Sequence, residues 1–162
     1  QLFTLLSYIM DGFAYAGESL VGRYIGAKDS NSLHTAVRNL LRWGLWLALA
    51  FTLLYATCGK WILLILTNDT AVIQTAMKYI VWTVLVPLTG FAAFIYDGIY
   101  IGATASKAMR NIIFAATAAF FILYFILYKI LGNNGLWISF LIFLTSRGLL
   151  MKLAEKKCIF AT

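Results

Sequence analysis

Charge is scarce in this 162-residue chain: 12% of the residues are Asp, Glu, Lys or Arg, against about a quarter in ordinary soluble domains. So few polar groups cannot coat a water-exposed surface, while the 62% of hydrophobic residues exceeds what one core can hide. Exposing the surplus to water would cost about 25 cal/mol per Å². The surplus must face lipid, which argues against a soluble bundle. Proline occurs once, so helices can run long without interruption. Histidine occurs once and cysteine twice, and His34, Cys58 and Cys158 show no metal-ligand spacing. No glycine-rich phosphate loop with a lysine and no Ser/His/Asp set is present, so the sequence suggests neither an enzyme nor a cofactor protein. The net charge of +7 sits in short clusters between apolar runs. That is a topology signal and not a nucleic-acid face.

Five apolar runs are present, each near the roughly 20 residues that cross a hydrocarbon core. They span about 2–27, 37–66, 77–102, 111–131 and 136–153, and the fold class is an all-α, polytopic membrane bundle of about five transmembrane helices. Lys28-Asp29-Ser30-Asn31-Ser32, Thr67-Asn68-Asp69-Thr70 and Gly132-Asn133-Asn134-Gly135 fill three of the four junctions between runs with turn and capping residues. These loops are too short to fold alone, so one domain is expected. If the first loop is cytoplasmic, ten of the 13 Lys and Arg residues fall inside and Lys60, Lys78 and Lys129 outside. The positive-inside rule then starts Gln1 outside and leaves Thr162 in the cytoplasm. On this topology Cys58 and Cys158 lie near opposite faces, which disfavours a disulfide. An apolar run opens directly after Gln1 with no basic region before it, and the sequence reads as a piece of a longer chain.

Acids inside such runs are costly, about 2.5–3.5 kcal/mol on insertion scales, and turn toward the protein interior. Asp11, Glu18 and Asp97 are the three. Asp11, Tyr15, Glu18, Gly22 and Gly26 recur at helical spacing, so the first helix is expected to carry an inward polar stripe. Burial disfavours a charged carboxyl, which suits these acids either to proton exchange or to bracing by a cation. Arg147 is a candidate ion-pair partner, because it lies at about the depth of Asp97 when helices rise 1.5 Å per residue. Pro87 marks a candidate kink. Tyr15, Tyr96 and Tyr100 flank the acids and are candidate cavity aromatics for a cationic substrate, with core packing as the alternative. A short echo links Gly22-Arg23-Tyr24-Ile25-Gly26-Ala27 to Gly98-Ile99-Tyr100-Ile101-Gly102-Ala103.

Several stretches together resemble one known family. Asp11-Gly12-Phe13-Ala14-Tyr15-Ala16-Gly17-Glu18 runs on to Gly22-Arg23 and Gly26-Ala27-Lys28-Asp29. Asp97-Gly98-Ile99-Tyr100-Ile101-Gly102-Ala103-Thr104 is followed by Met109-Arg110-Asn111, and later by Leu136-Trp137 and Arg147-Gly148-Leu149. In order and spacing these are similar to the multidrug and toxic compound extrusion (MATE) transporters, in their DinF-like branch. The resemblance implies helices eight to twelve of a twelve-helix protein in the plasma (inner) membrane, a partial C-terminal lobe whose N-terminal partner lobe lies outside this sequence. It implies antiport of organic cations or amphipathic drugs against protons or sodium ions by alternating access. In this branch the best-known proton-binding aspartate belongs to the N-terminal lobe. Other branches hold a cation site with acids on helices seven and ten. Asp97 is on helix ten but several residues further along, so the sodium role is not carried over to it. The alternatives are a lipid-linked oligosaccharide flippase of the same superfamily, which would favour a cationic cavity, and a non-transporting membrane fragment.

Overall fold

Local chemistry sets two of the helix starts. Asp29 caps one start by accepting the Ser32 N–H at 3.0 Å, and Asp69 caps the next by accepting the N–H groups of Ala71 at 2.8 Å and Val72 at 3.3 Å. The resulting helices are α1 (Leu2–Gly26), α2 (Ser30–Leu66), α3 (Thr70–Gly102), α4 (Ser106–Leu131) and α5 (Asn133–Cys158). The computed structural model describes residues 1–160. α2 and α3 each begin seven residues ahead of the hydropathy edges at 37 and 77. The first turn of α2 is polar, so hydropathy reads it as loop, whereas α3 opens on Thr70-Ala71-Val72-Ile73 and its start is marked by the Asp69 cap. α5 also outruns its apolar stretch, continuing past Leu153 to Cys158.

The echo between the two glycine-bearing segments is a shared way of ending a helix. Lys28 and Thr104 adopt left-handed φ values of 55° and 54°. The Asp29 N–H returns to the Tyr24 carbonyl and the Ala105 N–H to the Tyr100 carbonyl, each five residues back. The Lys28 and Thr104 N–H groups close inner turns onto Ile25 and Ile101. Both are Schellman closures, which satisfy carbonyls that a helix end otherwise leaves open.

α3 is the hub. α1, α2 and α5 all pack on it, α1 also packs on α2, and α4 is held chiefly by α5. The closest approach is α1 on α3: a Cβ at Gly98 would fall 2.7 Å from the Ala14 Cα, and one at Gly102 would fall 2.9 Å from the Glu18 Cα. Gly98 and Gly102 form a small-xxx-small pair, the device by which membrane helices bring backbones together when lipid is as apolar as the side chains. One buried cluster gathers Val21, Val37, Ile99 and Met151. A second gathers Leu6, Met10, Val86 and Leu144. α3 runs unbroken through the buried Pro87.

Four of these helices, α2 to α5, are long and apolar enough to cross a membrane. α1 is the least apolar of the five in its best membrane-length stretch. Its 25 residues suffice in length, but Asp11 and Glu18 interrupt its apolar run.

Candidate functional site

The chemistry-bearing side chains gather where α3 meets α5 beside α1. The Arg147 guanidinium of α5 forms an ion pair with the Asp97 carboxylate of α3, and the two side chains are 17% and 23% exposed. Each keeps an unused valence: Asp97 Oδ1 and Arg147 Nε are buried without a hydrogen-bond partner among the described residues. Asp11 of α1 lies near enough for its charge to act on Asp97. Acids from two helices and a cation from a third therefore share one electrostatic neighbourhood. A buried charge pair holds together only when both members are present, because either one alone is left uncompensated.

Other candidates are placed differently. Glu18 is half-buried on the α1–α3 seam, roughly 10 Å along the helix axis from Asp11. Tyr15 is 69% exposed. The fully packed face of α1 is Leu2, Leu6, Met10, Gly17 and Val21, so the expected inward stripe is displaced: Asp11 and Glu18 are half-buried, and Tyr15, Gly22 and Gly26 are exposed. Tyr96 and Tyr100 are buried cross-links between helices. The Tyr96 hydroxyl donates to Glu155 Oε2 at 2.5 Å, and the Tyr100 hydroxyl donates to the Met151 carbonyl at 2.8 Å. Pro87 lies roughly 15 Å along α3 from Asp97.

Glu155 is a buried acid that hydropathy misses. It is 7% exposed, and Lys152 Nζ also donates to it at 2.7 Å. It sits among Lys152, Lys156 and Lys157, past the apolar run that ends at Leu153, and so reads as solvated. Its helical register with Leu144, Gly148 and Met151, all buried, is the signal that would have found it.

Comparison with known proteins adds an independent line. The MatE family model matches residues 1–127. The chain is 38% identical over 148 residues to DNA damage-inducible protein F of Escherichia coli (strain K12), covering 91% of this chain and 32% of that relative. It thus spans about a third of the length of the curated relative it matches. No solved structure matches it.

Proposed function

Because the chain belongs to the MatE family and is part of an integral, multi-pass membrane protein, we propose that it supplies part of the C-terminal lobe, helices eight to twelve, of a secondary transporter. The transporter exports organic cations or amphipathic drugs in exchange for a cation, the proton being the favoured one. It is not an enzyme. The C-terminal end of the chain faces the cytoplasm, as the distribution of Lys and Arg favours.

The observation that carries this reading is the Asp97–Arg147 pair between α3 and α5, with Asp97 Oδ1 and Arg147 Nε buried without a hydrogen-bond partner among the described residues. A charge pair with a spare acceptor and a spare donor can exchange partners. Binding a proton or a cationic substrate there changes which arrangement of the helices is favoured, and coupled transport requires that differential. One charge crossing 100 mV supplies about 2.3 kcal/mol to bias such a change.

The test uses the full-length protein in proteoliposomes with an imposed pH gradient and a fluorescent organic cation. Asp11→Asn should slow proton-driven export at least about tenfold with insertion and folding intact, and Asp97→Asn should do the same per folded molecule, its export being normalised to the folded fraction because the change also leaves Arg147 uncompensated. Such a factor corresponds to about 1.4 kcal/mol. Parent-level export by both variants would remove the cluster from the mechanism.

A further inference from the structure

Between α2 and α5, over α3, the helices leave an open groove of about 1060 Å³ that neither Asp97 nor Arg147 lines. One end is cationic. Arg38 and Arg42 stand one turn apart on α2, Lys152 faces them from α5, and His34 stacks on Phe160 at 3.8 Å. The Lys152 charge is met by Glu155. Arg38 and Arg42 are exposed and take part in no ion pair among the described residues.

Away from that end the walls turn apolar, with Leu45 on α2, Leu88 on α3 and Leu149 on α5. The two threonines that intervene are satisfied within their own helices. Thr89 donates to the Leu85 and Val86 carbonyls at 3.1 Å, and Thr145 donates to the Leu141 carbonyl at 2.8 Å. From Arg38 to Leu45 the groove runs roughly 10 Å along the bundle. It starts at the end where Arg23, Lys107, Arg110 and Lys156 also gather.

We propose that this groove is a binding site for one anionic phospholipid. Its phosphate lies between Arg38 and Arg42, and an acyl chain lies along Leu45, Leu88 and Leu149. Two guanidinium forks without carboxylate partners match a phosphate in charge and in donor geometry. Basic pockets between membrane helices at the cytoplasmic level select anionic headgroups in this way. A zwitterionic lipid would bring its own cation to the same end and lose the advantage. The proposal rests on residence in a membrane and not on the transport reading.

The test is native mass spectrometry of the full-length protein released from detergent after titration with phosphatidylglycerol or phosphatidylcholine. The parent should retain one phosphatidylglycerol at least about tenfold more tightly than phosphatidylcholine. The doubly substituted Arg38→Gln/Arg42→Gln protein should lose that preference. Lys156→Gln/Lys157→Gln removes the same charge from the same end but outside the groove, and should keep it. Leu149→Trp, which fills the apolar wall, should weaken phosphatidylglycerol retention with both arginines in place. A thermal midpoint within a few degrees of the parent establishes that each variant is folded. Equal retention of the two lipids by the parent would overturn the proposal, as would equal losses from the two charge pairs. Displacement of the lipid by inorganic phosphate alone would show a free-anion site and would also overturn it. So would a Leu149→Cys thiol that stays closed to a membrane-soluble maleimide after delipidation, since a protein segment would then occupy the groove.

Discussion

Substituting Gly98 with alanine tests the α1–α3 seam directly. The new Cβ would lie 2.7 Å from the Ala14 Cα and still closer to the Ala14 carbonyl, whereas ordinary contact begins at 3.4 Å. The obstructing atoms are backbone, so no rotamer change relieves them, and α1 must retreat by about 1 Å. A gap of that size forfeits up to about half the attraction of each facing atom pair, including those of Gly17 against Ile99. Overpacking of this severity costs about 3 kcal/mol. Alanine's better helix propensity returns about 1 kcal/mol, leaving a net loss of about 2 kcal/mol. At 2–4 °C per kcal/mol for a chain of this size, the midpoint should fall by roughly 4–8 °C. The control is Gly17→Ala on the same seam. Its Cβ would meet Leu40 Cδ1 at 3.5 Å and Ile99 Cγ1 at 3.6 Å, both ordinary contacts, and its midpoint should hold or rise. Thermal unfolding in detergent, followed by tryptophan emission, measures both. Equal midpoints for the two variants would refute the reasoning.

Removing one member of the Asp97–Arg147 pair should be worse than removing both. Arg147→Met leaves a carboxylate uncompensated and should cost about 3 kcal/mol, while Asp97→Asn/Arg147→Met should recover part of that loss. Additive losses in a double-mutant cycle would count against the pair. At the start of α2, hydrogen bonds from Ser32 hold the Asp29 carboxyl below its ordinary value of 3.8. A lowered folded-state value means that the cap is fully engaged above the unfolded carboxyl's titration and is lost as pH falls through the folded one. The Ser32 amide resonance should therefore shift with a midpoint below 3.8 and stay flat in Asp29→Asn. A midpoint at or above that value is the contrary outcome.

Much of the architecture is legible in the sequence because lipid leaves helices little choice. Apolar runs give the helices, and counting rise per residue brings Asp97 and Arg147 to one depth. Two kinds of information are missing from hydropathy. One is capping. Asp29 and Asp69 start α2 and α3 ahead of their hydropathy edges, and the Ala27–Lys28 and Ala103–Thr104 closures read only as a faint repeat. The other is rotation about the helix axis. Periodicity groups Asp11 with Tyr15 and Glu18, but not which neighbour that face meets. α3 meets the adjoining face through Gly17 and Val21, because Gly98 and Gly102 draw it there. Tyr96 and Tyr100 show the same limit. Their spacing puts both on one face, and only the position of α5 makes that face a set of cross-links, with Tyr96 also at the wall of the groove between α2 and α5.

The suspension of α4 has a mechanical side. It reaches the hub in series, through α5, with only its first turns brushing the rest of the bundle. A sideways push from the lipid on Phe121 or Phe125 is passed along α5 to α3, where Gly148 wedges against Ala92 and Ala93 and the neighbouring Arg147 clasps Asp97. The outermost helix is thus a lever whose load is delivered to the Asp97–Arg147 clasp.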